Sequence, residues 1–223
     1  MQEGISQNNL NREHAYLRAV FNELTRFGYW KEANPLAKVR QFKIQERELS
    51  YLTTAQIDKL LLEMEQGRNR DAIVITKICL STGARWSEAE TLRTSQIQNN
   101  MLQFSLTKSG RNRAVPICGE LQEELACISR SSTSGRLFSY AASAFRDAIG
   151  RAGIELPAGQ LTHVLRHTFA SHFMINGGNI LTLQRILGHS SLAMTMKYAH
   201  LAPDHLQEAV KLNPLSQMRR ELN

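Results

Sequence analysis

Apolar residues recur at helical spacing along nearly the whole chain, and only one stretch, Met101 to Ile117, alternates as strands do. There Leu102, Phe104 and Leu106 share one face of a half-buried strand running from Met101 to Thr107. A second short strand, Ala114 to Ile117, follows the polar turn Lys108 to Arg113, which contains Gly110. The expected fold class is therefore α+β, mostly α, with one small antiparallel β-sheet at the edge of a helical domain.

The helices carry their own punctuation. Thr53-x-x-Gln56 is a capping-box start, and Ile57, Leu60, Leu61 and Met64 form the buried stripe behind it. A second helix runs through Ile73, Ile75, Ile78, Cys79 and Leu80 to Gly83, where glycine permits a left-handed stop. Arg85 follows that stop and begins a short helix through Leu92. Beyond Glu120 the expected helices are Leu137 to Arg151, Thr162 to Asn176, Ile180 to Leu187 and Leu192 to His200.

At the N-terminal end, Tyr16, Leu17, Val20, Phe21, Leu24 and Phe27 make one amphipathic helix over residues 11–30, ended by Gly28 and Asn34-Pro35. One such helix cannot bury its own face. Residues 1–33 are therefore expected to be the last piece of a helical domain, and 34–50 a basic linker carrying Lys38, Arg40, Lys43 and Arg47. Residues 51–200 would form the main domain. In the tail, 201–223, Leu206 and Val210 are expected to anchor an apolar face that packs in cis or passes to a neighbouring protomer.

A net charge of +7 favours a polyanionic partner, because a positive field attracts phosphate and releases counterions. Three cysteines, Cys79, Cys118 and Cys127, are odd in number and widely spread, which fits reduced, buried or semi-buried thiols of a cytosolic protein. No apolar run reaches membrane-span length and no signal peptide precedes the chain, so no membrane partner is expected. The seven histidines lack metalloprotease spacing, and no metal or other cofactor is expected.

The chemistry concentrates near the C-terminus. His163 and Arg166 stand three residues apart in Thr162-His163-Val164-Leu165-Arg166-His167-Thr168, so a helix projects them together. Leu187-Gly188-His189 follows, and Tyr198 comes nine residues after that histidine. A base, a cation, a second imidazole and a phenol in one stretch suggest phosphoryl transfer onto tyrosine. Singly each has a bland explanation: His-x-x-Arg pairs are usually surface chemistry and tyrosines usually pack. Upstream residues complete the set, with Arg85 and Glu88 in Ser81-Thr82-Gly83-Ala84-Arg85-Trp86-Ser87-Glu88 and a lysine in Thr107-Lys108-Ser109-Gly110.

This ordered combination resembles the tyrosine recombinases, specifically temperate-phage integrases of the P2-like group, over about Thr53 to Asn213. A weaker likeness covers the first fifty residues, where integrases carry a core-site DNA-binding domain. The resemblance implies a tyrosine-recombinase catalytic domain that cleaves and rejoins DNA through a 3′-phosphotyrosine, without ATP or metal. Arginine suits charge stabilisation because its planar fork pairs with two phosphate oxygens. Arg85 and Arg166 are thus the expected clamp, with His189 a third donor. His163 is the expected acid/base, since imidazole titrates near working pH. Lys108 takes by resemblance the role of protonating the departing 5′ oxygen. Glu88 is expected to orient the site, and Arg111 and Arg113 to contact DNA. Among five tyrosines only Tyr198 follows the Gly-His motif, and His167, His172 and His200 are read as structural or surface residues.

The implied partners are double-stranded DNA attachment sites, three further protomers in a tetramer on DNA, and accessory bending and directionality factors. The protein would be a monomer or dimer without DNA and would act in the host bacterial cytoplasm at the nucleoid. Two alternatives stay open: a type IB topoisomerase-like relaxase with nearly the same residues, and a DNA-binding protein without catalysis.

Overall fold

The structure is a computed structural model that describes residues 5–43, 50–104, 112–131 and 135–203. Leu106, Lys108, Gly110, Arg111, Arg47 and the tail from residue 204, all singled out above, lie outside the described residues. The chain divides into two compact units, Met1–Glu48 and Leu49–Asn223.

In the first unit, helix α1 (Gln7–Arg26) starts four residues earlier than its apolar stripe suggests, because the Ser6 hydroxyl caps it by accepting from the Asn9 N–H at 3.3 Å. The chain then doubles back along the helix. Asn34 donates to the Arg18 carbonyl, and the Asn11 amide makes two 2.8 Å bonds to the backbone of Phe42. Phe21 meets Trp30 edge-on at 5.0 Å. Among the described residues no side chain of α1 is buried, and Tyr16, Leu17 and Val20 stay exposed. Lys38, Arg40 and Lys43 are exposed as well.

The second unit is mostly helical. Its core is built around α3 (Arg70–Thr82), eight of whose residues are buried, flanked by α2 (Thr54–Glu65), α6 (Ala142–Arg151) and α7 (His163–Ile175). Thr53 and Gln56 form the full capping box of α2. Leu60, Ile75, Ile78, Phe145 and Leu165 are fully buried where these helices meet. Leu52 ties the start of the unit to α7, with its N–H donating to Thr168 and its carbonyl bonded to His172 Nε2. His172 is thus structural, as expected.

The sheet has one more strand than the sequence suggests. β1 (Ile97–Gln98), β2 (Met101–Phe104) and β3 (Arg113–Pro116) pair antiparallel in that order. Leu102, Phe104 and Val115 face the core, and the register sets Phe104 opposite Arg113. The extra strand is two residues long, too short to show alternation, and its turn uses Asn99 and Asn100 at positive φ. A further helix, α5 (Gly119–Ser131), follows β3.

Two expected helices are shorter than read. The segment Leu137–Ala141 is not helical, because its backbone is spent elsewhere: Leu137 N–H bonds the Leu92 carbonyl and Ala141 N–H bonds buried Glu90. That leaves α6 to begin at Ala142. Leu192–His200 is likewise broken, into α9 (Ala193–Met196) and a 3₁₀ turn at Ala199–Leu201. Of the cysteines, Cys79 is buried, whereas Cys118 and Cys127 are exposed rather than semi-buried.

Gly83 ends α3 at φ +64°, and a Cβ there would lie 2.5 Å from Phe169 and 2.7 Å from Leu187. Gly83→Ala combines left-handed strain with overpacking and should lose about 2–5 kcal/mol in urea unfolding. An unchanged midpoint would mean that the two helices can separate freely.

Candidate active site

The left-handed turn at Gly83 releases the chain so that Arg85 becomes the N-cap position of α4 (Trp86–Glu90). Glu88 lies one turn on, and it accepts the Arg85 backbone N–H at 2.9 Å and the Arg85 Nη1 at 2.8 Å. The carboxylate therefore fixes both ends of Arg85. From the other side Arg113 of β3 donates Nη2 to Glu88 Oε2 at 2.6 Å and Nη1 to Oε1 at 3.3 Å. Burial alone would raise the Glu88 carboxyl. The bonds from Arg113 and Arg85 outweigh it and hold the group down to about 2, so it stays ionised.

Arg166 approaches from α7 and is 5% exposed. Its Nη1 donates to the Gly83 carbonyl at 2.7 Å, and its Nη2 to the Leu187 carbonyl at 2.6 Å. Those carbonyls belong to the ends of α3 and of α8 (Ile180–Leu187), where unpaired C=O groups and the negative end of the helix dipole collect. Burial, with Arg85 and Arg113 nearby, lowers Arg166 to about 10, so it remains charged at neutral pH. Arg85 lies close enough for its charge to act on Arg166.

Gly188 caps α8 at φ +66° and turns the chain into His189. His189 is 7% exposed, and its Nδ1 lies 2.8 Å from the Thr195 hydroxyl. Burial, followed by the positive charge of Arg166, lowers it to about 4. A neutral ring whose Nδ1 accepts from Thr195 presents Nε2–H as a donor.

His163 opens α7 and is exposed. Together with Arg85, Glu88, Phe104, Arg93 and Arg136 it lines an open cleft of about 860 Å³. Tyr198 does not line it. The ring is 1% exposed, packed with Leu183, Leu187, Ala170 and Met174, and its hydroxyl sits 2.7 Å from His167 Nδ1. Burial raises the phenol to about 12 despite Arg166, and burial with neighbouring Lys197 lowers His167 to about 4.

The sequence reading missed the part of His167, treated there as a flanking residue, because nothing in the spacing shows which ring nitrogen meets a phenol. Arg93 and Arg136 of the cleft wall were missed too; they come from distant segments that meet at an isolated β-bridge. Arg113 was expected to contact DNA. Its side chain is instead 6% exposed and turned inward to Glu88, with its guanidinium 4.6 Å above the Phe104 ring. Lys38, Arg40 and Lys43 belong to the first unit, and Lys108 and Arg111 lie outside the described residues. Among the described residues no three His, Cys, Asp or Glu side chains gather as a metal site would require, and no helix is long and apolar enough to cross a membrane.

The lowered imidazoles imply an acid-sensitive fold. In the unfolded chain His167 and His189 titrate near 6.5, and in the folded protein near 4. Between those values the unfolded chain binds protons that the folded one does not, so stability is present above pH 6.5 and falls as pH drops toward 4. Each ring should contribute a slope approaching about 1.4 kcal/mol per pH unit. Glu88, lowered from 4.5 to about 2, extends the loss to lower pH with the same sign. Urea midpoints measured from pH 7 down to 4 test this, and a flat profile would refute it.

Comparison with known proteins shows the family of the chain. Residues 50–205 match the phage integrase family model, and residues 1–43 match that of the phage integrase N-terminal domain. The chain is 57% identical to the integrase of Escherichia phage 186 over 95% of its own length, and spans 62% of the relative's length. The catalytic domain of bacteriophage HP1 integrase superposes with a TM-score of 0.71 at 57% identity, covering 76% of this chain and 98% of that one. The Tn1549 transposon integrase, solved with circular intermediate DNA, shares the fold at a TM-score of 0.72 and 20% identity, covering 99% of this chain and 82% of that one.

Proposed function

Because the chain belongs to the phage integrase family, we propose that it cleaves and rejoins double-stranded DNA at specific sites through a covalent 3′-phosphotyrosine. The observation that carries this reading is the meeting of Arg85, Arg166 and His189 around the ends of α3 and α8, with Tyr198 packed behind them. In this reaction the phenol oxygen of Tyr198 attacks the phosphorus and the bond to the 5′ oxygen breaks. The phenol proton leaves through an acid/base group, and the departing oxygen is protonated. Attack by a 5′-hydroxyl of another strand reverses each step, so bond energy is conserved.

Arg85, which lines the cleft, and Arg166, braced on the ends of α3 and α8, hold the nonbridging oxygens as charge builds. Preorganised donors of this kind are commonly worth a factor of about 10² to 10³ each. His189 donates a third hydrogen bond. His163, exposed at the cleft, is the acid/base, and Lys108 protonates the 5′ oxygen. The buried Tyr198 hydroxyl has to leave His167 before it can reach a phosphate, so DNA binding and nucleophile release are coupled. Lys38, Arg40 and Lys43 of the first unit, with Arg111, supply backbone contacts. Four protomers on two duplexes complete an exchange.

The test is adduct formation on a nicked suicide duplex, drawn from a sequence pool enriched for binding to the protein. An SDS-resistant, protease-sensitive species is expected. A gel shift without adduct would make the chain a DNA-binding protein only, and relaxation without strand exchange between duplexes would favour the topoisomerase-like alternative.

A further inference from the structure

We propose that Arg113 is a positioning residue of this active site: it shares the Glu88 carboxylate with Arg85 and so keeps the Arg85 guanidinium oriented and free to take a phosphate. The inference rests on the recombinase reading above. Arg113 makes no contact of the kind a DNA-binding arginine needs. Its side chain is 6% exposed, its guanidinium lies on the Phe104 ring, and its stem passes 3.2 Å from where a Gly188 Cβ would stand. Its buried Nε finds no partner among the described residues, so the cation is committed to Glu88 through Nη1 and Nη2.

The geometry of Glu88 shows why a second cation matters. Each carboxylate oxygen receives one bond from Arg113 and one from Arg85: Oε1 from the Arg85 Nη1, Oε2 from its backbone N–H. Among the described residues the Arg85 guanidinium is thus held to Glu88 by one terminal nitrogen, Nη1. Without Arg113 an unshared carboxylate would be free to grip the Arg85 guanidinium at two points, the preferred arrangement of such a pair. It would then compete with the phosphate oxygens for the same donors, and its negative charge would oppose theirs. Arg113 also pairs opposite Phe104 at the end of β2, so the same contact sets β3 against α4.

Arg113→Met keeps most of the buried stem and removes the cation. Removing one partner of a buried ion pair normally destabilises a fold, but here Glu88 keeps Arg85 as its partner, so the variant is expected to fold with a lowered unfolding midpoint. Single-turnover cleavage of the suicide duplex should slow by about 10- to 100-fold, with binding of the same duplex changed by less than about 3-fold. Arg113→Lys should recover part of the loss. Arg113→Met combined with Glu88→Gln should be faster than Arg113→Met alone, because the competing carboxylate has gone. Because Arg113 and Glu88 touch, their stability changes couple as well, so a residue that only stabilised the fold would lose cleavage in step with the unfolding midpoint and show no further loss in the fully folded variant.

A crystal structure of Arg113→Met reads the same proposal without activity, and should show Glu88 turned into a two-point contact with Arg85. Glu88 and Arg85 left unmoved, or cleavage losses that only track the unfolding midpoint, would overturn the role of Arg113. Failure of the unaltered protein to form any adduct would count against the recombinase reading instead, leaving the crystallographic outcome to decide on Arg113.

Discussion

Tyr198→Phe is expected to reduce covalent protein–DNA adduct to background while leaving the fold and DNA binding nearly intact. The substitution removes a single oxygen, the atom that bonds to phosphorus in the proposed reaction. Among the described residues that oxygen is hydrogen-bonded to His167, at 2.7 Å, while the ring is held by Leu183, Leu187, Ala170 and Met174. A phenylalanine ring keeps the packing. The lost hydrogen bond costs about 0.5–1.5 kcal/mol, a small part of a domain's stability. Binding should change little, because affinity for DNA comes mostly from contacts to backbone phosphates. The measurement pairs a gel shift with an SDS gel of the suicide duplex. Undiminished adduct in the variant would move the nucleophile to another tyrosine, and lost binding would mean that the hydroxyl also positions DNA.

The residues of this site were legible in the sequence to the extent that their spacing follows helix geometry. His163 and Arg166 share a helix face, Gly83 had to stop α3, and the Gly188-His189 turn had to follow α8; each rests on a local rule of backbone conformation. The capping box at Thr53 is local in the same way. What could not be read was contact between distant segments. The inward turn of Arg113 depends on β3 lying beside α4, and the loss of helix at Leu137–Ala141 depends on buried Glu90 claiming the Ala141 N–H. Burial of Tyr198 against His167 is likewise a fact of packing. Sequence spacing singled out Tyr198 without saying that it rests away from the cleft.

Arg166→Met should damage both stability and chemistry, and more severely than any other arginine substitution in the site. The side chain bridges the last carbonyls of two helices, to Gly83 at 2.7 Å and Leu187 at 2.6 Å. Methionine fills similar space but leaves both carbonyls buried without a donor, at about 1–3 kcal/mol for each unsatisfied group. Unfolding should therefore lose about 2–5 kcal/mol, and cleavage should fall by at least about 10²-fold beyond that loss. Arg166→Lys separates the two effects. Lysine keeps the charge but presents it as a point, whereas arginine offers five N–H donors in a fixed fork, enough to hold two carbonyls and still face a phosphate. The lysine variant should recover some stability through one carbonyl and little cleavage, since its ammonium cannot serve backbone and substrate together. If Arg166→Met unfolded like the unaltered protein and still cleaved DNA, the guanidinium would be neither the brace between α3 and α8 nor part of the clamp. If Arg166→Lys cleaved normally, charge alone would suffice and the fork geometry would be dispensable.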